Sequence, residues 1–179
     1  MHEPKEASPG AASPAAASSG DLAFIDLALA FARQGDRTPG ASPIGCVIVL
    51  DGEVVAQGHN EVGLRHDPTA HAEMVAIRQA CAELGRDDLR GATLYSTLQP
   101  CGMCTMAVIW SHVGRVVYGA GRADVHRMYF EDRHLDTMDF IVDAYRKDVD
   151  VVGGVRAPEC AALYYGPDDH PPPEEQGNL

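Results

Sequence analysis

The sequence predicts one α/β domain built in layers. Three observations carry this reading. Apolar segments of helical spacing alternate with short buried runs of strand-forming residues along most of the chain. The 179 residues are 45% hydrophobic, enough for one substantial core and ordinary for a globular chain. Two short motifs rich in metal-binding side chains, His71-Ala72-Glu73 and Pro100-Cys101-Gly102-Met103-Cys104, each fall where a loop passes into a helix.

The elements follow in order. Leu22 to Phe31 reads as an amphipathic helix closed by Gly35. Ile44 to Leu50 is an apolar run of strand length. Asp51-Gly52 is a two-residue hairpin signal, and Val54 to Gly58 returns as the partner strand. Met74, Ile77, Cys81 and Leu84 form a helical stripe that starts near His71, with Asp67 or Thr69 as its cap and Gly85 as its stop. Ala92 to Leu98 reads as a buried strand. A helix runs from about Gly102 to His112 and is closed by Gly114, and a strand around Val116 follows. Leu135, Met138, Val142 and Tyr145 mark another helix, Val149 to Val152 a last strand, and Pro158 to Tyr165 a closing helix.

The ends differ in composition. Residues 1–20 are mostly Ala, Ser, Pro and Gly, and residues 166–179 combine prolines with acidic pairs. Both are expected to be mobile tails around a domain of residues 21–165. No apolar run reaches membrane-spanning length, and the N-terminus has no basic-then-apolar signal pattern.

The two motifs supply one imidazole, two thiols and one carboxylate. Cys101 and Cys104 fall at the start of a helix, where free N–H groups and the helix dipole favour thiolates. His71, Cys101 and Cys104 make three ligands. Structural zinc takes four protein ligands, whereas catalytic zinc takes three and leaves one place to water. Glu73 lies two residues from a ligand, so its role is proton transfer and not coordination. A structural zinc knuckle would need His59, His66 or Cys81 as a fourth ligand. A Cys101–Cys104 disulfide is the other bland alternative. Cys81 follows the apolar stripe, and the two histidines lie near loops, so the catalytic reading is preferred. Cys46, Cys81 and Cys160 read as buried thiols suited to a reducing cytoplasm.

The pattern H-x-E followed by P-C-x-x-C is the signature of zinc deaminases of nucleobases. The chain resembles the cytidine-deaminase superfamily over roughly Asp21 to Tyr165. Arg65 to Glu73 and Gly114-Arg115-Val116-Val117-Tyr118-Gly119 look like bacterial tRNA adenosine deaminases. Asp67 to Glu73, Ala76 to Cys81 with Leu84-Gly85, and Trp110 resemble bacterial guanine deaminases. Tyr95 to Leu98 with Pro100-Cys101 and Met103-Cys104-Thr105 is similar to fungal cytosine deaminases. The resemblance implies a three-layer α/β/α fold. Its mixed five-stranded sheet has helices on both faces, and the protein is expected as a homodimer.

It also implies substrate contacts. Asn60 ends the second strand, where the resembling families bond the base or sugar, and an amide offers both donor and acceptor; substrate contact is preferred to a turn-capping role. Backbone N–H groups near Ala72 and Cys101 would hold the base. Trp110 is either an aromatic wall for a planar base or a core residue. Met128 to Asp132 lies where guanine deaminases carry a Phe and two acids. Asp132 is thus either an active-site acid or the N-cap of the Leu135 helix, and Glu131 is a second possible acid.

Charge bears on the substrate. The whole chain carries −12, and residues 21–165 hold 13 basic against 20 acidic residues. Nucleic-acid binders need a basic face. Arg115, Arg122, Arg127 and Arg133 are the candidates for one, yet the closing helix has no Arg or Lys cluster such as tRNA adenosine deaminases carry. The expectation is a cytoplasmic zinc deaminase of a small nucleobase or nucleoside, guanine-type purines first. A tRNA adenosine deaminase, a cytosine deaminase and a non-catalytic zinc-stabilised binding domain are the alternatives.

Overall fold

The computed structural model describes residues 17–130 and 148–173, with Phe140, Ile141, Ala144 and Arg146 between them. Helix α1 spans Ser19–Asp36. Ser18 caps it: the Ser18 hydroxyl accepts from the Asp21 amide, and the Asp21 carboxylate accepts from the Ser18 amide. This reciprocal box satisfies two N–H groups that the helix start leaves unpaired. Ser18 to Gly20, tail by composition, therefore belong to the first turn.

Five strands follow in the sheet order β2-β1-β3-β4-β5. Their ranges are Ser42–Leu50 for β1, Glu53–Asn60 for β2, Thr93–Leu98 for β3, Arg115–Ala120 for β4 and Asp150–Val152 for β5. The β1–β2 and β1–β3 pairs are antiparallel, and β3–β4 and β4–β5 are parallel. The sheet is mixed and five-stranded, as the resemblance implied. Asp51-Gly52 makes the hairpin, with φ of 53° and 84°. Positive φ at both central positions suits the twist of the strands.

Side-chain alternation splits the core in two. Val47, Val49, Tyr95 and Val117 face one side, where Ile25, Ala28 and Leu29 of α1 cover them. Cys46, Ile48, Leu94 and Val116 face the other. There they meet Ala76, Ile77 and Ala80 of helix α3 (Ala72–Leu84) and Val108 of helix α4 (Gly102–Trp110). The short helix α2 (Val62–Arg65) and a 3₁₀ turn (Arg127–Tyr129) were not expected. Neither is long enough to show helical periodicity in sequence.

Several details differ from expectation. His71 itself is the N-cap of α3, and its side chain makes no capping bond. Asp67 accepts instead from the amide and hydroxyl of Thr69, at 2.8 and 2.7 Å, and shapes the turn before the helix. The closing helix, α5, covers only Ala157–Ala161. Beyond it the Tyr164 hydroxyl meets the Thr97 hydroxyl at 2.7 Å, a contact made from non-helical backbone. His59 is buried, lying where a Cβ on Gly35 would meet its ring. Cys46 and Cys160 are buried, but Cys81 only partly. Pro171, placed in the acidic tail, is buried as well. The helix expected around Leu135, Met138, Val142 and Tyr145 lies outside the described residues. No described helix is long and apolar enough to cross a membrane.

Candidate active site

Helices α3 and α4 start side by side, and their first residues carry the metal-binding groups. His71 and Cys101 are the N-caps, both with extended backbone, and Cys104 lies in the first turn of α4. Parallel strands β3 and β4 end here, the usual location of sites in α/β sheets. The Cys101 Sγ lies 3.6 Å and the Cys104 Sγ 3.7 Å from His71 Nδ1. All three ligand atoms fall within 4.8 Å of one another. A tetrahedral zinc would set sulfur and nitrogen ligands about 3.6 Å apart, given its usual bond lengths. The donor set therefore fits the metal. No fourth His, Cys, Asp or Glu joins this cluster among the described residues. Neither His59, His66 nor Cys81 completes a structural site, and all five cysteines are free thiols.

The metal-free thiols are unequal. The contact with Cys104 and the nearby His71 bring Cys101 down to about 5 against its burial. Cys104, in contact with Cys101 and buried beside Glu73, is pushed well up. A bound zinc takes both as thiolates.

Glu73 is buried beside these groups. Burial, then the charge of Cys101, raises its pKa above the usual carboxylate range. Its Oε1 accepts from the Ser96 hydroxyl at 3.2 Å and its Oε2 from the Cys104 thiol at 3.5 Å. The same burial, with the charge of Glu73, pushes the neighbouring Cys46 thiol up.

A cleft of about 270 Å³ opens above these groups. His71, Glu73 and Cys101 line it, with Asn60, Gln99 and Tyr129 among the residues around them. Asn60 is 6% exposed, and its Oδ1 accepts from the Val62 amide at 3.1 Å. That bond assigns the oxygen, so the amide nitrogen is left as a donor. Gln99 is held similarly, its Oε1 accepting from the Arg122 amide at 3.2 Å. Tyr129 packs edge-on against Tyr164, ring centroids 5.3 Å apart.

Of the expected site residues, His71, Glu73, Cys101, Cys104 and Asn60 come together. Ala72 is the first residue of α3 and fully buried, so its backbone N–H is what it can offer. Trp110 is not brought to the cleft. It ends α4, at the opposite end from the cysteines, and is 76% exposed, so it is neither wall nor core. Glu131 and Asp132 lie outside the described residues. Ser96, Gln99 and Tyr129 were missed by sequence reasoning. Only Ser96 carried a signal: a polar residue in an apolar strand just before the cysteine motif.

The family model for the cytidine and deoxycytidylate deaminase zinc-binding region matches residues 18–120. The guanine deaminase of Bacillus subtilis is 40% identical over 109 residues, 61% of this chain and 70% of that one. The tRNA-specific adenosine deaminase of Agrobacterium fabrum is 48% identical over 98 residues, 54% of this chain and 63% of that one. A solved guanine deaminase structure from Nitrosomonas europaea superposes with a TM-score of 0.67 at 26% identity, covering 79% of this chain and 81% of that one.

Proposed function

Since the chain belongs to the cytidine and deoxycytidylate deaminase family, we propose that it deaminates a small amino-purine or amino-pyrimidine, guanine-type bases first, by zinc-dependent hydrolysis. His71, Cys101 and Cys104 hold the metal in this reading. When bound, zinc acidifies a coordinated water and polarises the group under attack. Glu73 moves the protons. It takes one from the water that adds to the amine-bearing carbon and delivers it to a ring nitrogen, then takes the remaining proton from the added hydroxyl and gives it to the departing amine. Water and the amino-heterocycle thereby become a ring carbonyl and ammonia. The Asn60 amide nitrogen donates to an acceptor on the base edge, and the Tyr129 ring flanks the base plane. The cleft volume is slightly below the ~300 Å³ lower bound of drug-sized sites, the scale of a small heterocycle.

Charge is the observation that carries the small-molecule reading. Carboxylates already bind six of the described arginines: Arg65 with Glu61, Arg78 with Asp67, Arg90 with Asp88, Arg115 with Asp21, Arg146 with Asp148 and Arg156 with Asp26. Arg122, another candidate for a basic patch, stacks over Phe130 at 4.4 Å. Helix α5 has no basic residue. A neutral base needs no phosphate contacts, whereas a tRNA must find cations on a chain of net charge −12. The tRNA reading is kept as the second because the Agrobacterium relative has the higher identity of the two curated proteins. Cytoplasmic placement, purine metabolism and a homodimer belong to the same proposal; the five free thiols suit a reducing compartment.

The test compares ammonia release from guanine, cytosine, adenine and their nucleosides with inosine formation in an anticodon stem-loop at low salt. Release from guanine without reaction of the RNA supports the reading. Reaction of the RNA alone overturns it, and no ammonia from any substrate leaves the zinc-stabilised binding domain.

A further inference from the structure

We propose that Ser96 is the positioning residue for Glu73, orienting its carboxylate toward the cleft through a hydroxyl whose own direction is set by the Leu98 amide. This rests on Glu73 being the proton carrier. Ser96 lies in the middle of β3, between Cys46 of β1 and Tyr118 of β4. Alternation points it to the same side as Leu94, into the layer shared with α3 and α4. It is fully buried there. A buried hydroxyl among Cys46, Ile48 and Leu94 needs partners, and it has two. The Leu98 amide donates to its oxygen at 3.4 Å. An amide can only donate, so the serine oxygen accepts on that side. Its own hydrogen is then free to point to Glu73 Oε1, 3.2 Å away.

Glu73 has a second side-chain contact: the Cys104 thiol donates to Oε2 at 3.5 Å. Cys104 is itself one of the three groups that fit the metal, whereas Ser96 is not among them and makes the shorter contact, 3.2 Å. Ser96 is thus the side-chain partner whose sole task here is to orient the carboxylate, and Glu73 must keep a fixed direction while it hands protons between water, ring and leaving amine.

Ser96→Ala removes the hydroxyl and Ser96→Thr keeps it. Zinc content and Tm of Ser96→Ala are expected to match the parent protein. Its kcat on the responding base is expected to fall about 10–100-fold, the usual effect of a group that orients a reacting one, while KM changes little. Ser96→Thr should recover most of the rate. A second readout needs no turnover. The infrared difference between the parent and Glu73→Gln isolates the Glu73 carboxylate band in the zinc-loaded protein. Ser96→Ala should shift that band, since the carboxylate loses a donor. An unshifted band overturns the proposal, as does a fall in rate matched by equal loss of zinc. Retained turnover in Glu73→Gln would reject the proton-carrier reading instead, and the band would still decide whether Ser96 holds the carboxylate.

Discussion

Asp21 of α1 and Arg115 of β4 form a two-pronged ion pair inside the molecule. The guanidinium donates from Nη1 to Oδ1 at 2.5 Å and from Nη2 to Oδ2 at 3.1 Å. Asp21 is 1% exposed and also accepts from the Tyr95 hydroxyl at 3.0 Å. The pair joins the first helix to the fourth strand, and Arg115 extends it to Asp150 of β5 at 2.8 Å. The same carboxylate closes the cap of α1. One acid thus fixes the start of the domain and its attachment to the sheet.

Asp21→Asn should destabilise the protein by about 3 kcal/mol, since it leaves Arg115 without its buried counter-charge. The effect depends on pH in a defined direction. Burial works to raise the Asp21 pKa, but Arg115, Ser18 and Tyr95 outweigh it and hold the carboxyl well below the usual range. A depressed folded value stabilises above the unfolded value of about 3.9 and is lost as pH falls through the folded one. Denaturant titrations of parent and variant should differ fully near neutral pH and begin to converge only as the pH falls below about 4, toward the depressed folded value.

Gly45→Ala should be strongly destabilising although the added group is one methyl. A Cβ at Gly45 would be driven into the Ala28 carbonyl oxygen and the Ala32 amide of α1, backbone atoms that cannot rotate away. Overpacking of this kind costs about 1–3 kcal/mol or more. Thermal unfolding measures it. A variant within a degree of the parent Tm would show that α1 moves off the sheet freely.

Cys101→Ser should lose zinc. Two thiols and one imidazole are the whole donor set among the described residues, and an alcohol replaces a thiolate poorly at neutral pH. Metal analysis after dialysis checks this, and a full complement of zinc in the variant would reject the ligand assignment.

Glu73→Ala should keep zinc and fold but lose turnover by at least about 10³-fold, near the top of the range for general acid–base groups. The residue is buried beside the metal-binding groups without belonging to that cluster. Steady-state rates with metal content measured on the same samples separate the two roles. A variant with a tenth of the parent rate would remove Glu73 from the chemistry.

The metal-binding residues were legible because their signals are local. His71 and Glu73 are two positions apart, and Cys101 and Cys104 three, so one helical turn at each motif sets their relative placement. The strands could be read from their apolar runs, and Asp51-Gly52 announced its hairpin, since backbone preference at two residues decides that turn. Asn60 lines the cleft, and its place near the site could be read from its position at a strand end. Trp110 was left between cleft wall and core on a resemblance; its place at the far end of α4, 76% exposed, comes from how the helix packs on the sheet.

What the tertiary structure alone decided concerns residues that meet across the sheet. The order β2-β1-β3-β4-β5 puts Ser96 beneath Glu73, and the same packing brings Tyr129 and Gln99 to the cleft wall. It also ties Arg115, a basic-patch candidate in sequence, to Asp21 some 94 positions away. Strand pairing and layer packing are non-local. A residue's own neighbours specify that it lies in a strand and on which alternating face, but not what lies opposite. The chain by itself determined the chemistry it can hold at two helix starts. The folded sheet decided which groups surround that chemistry and which charges are already spent on one another.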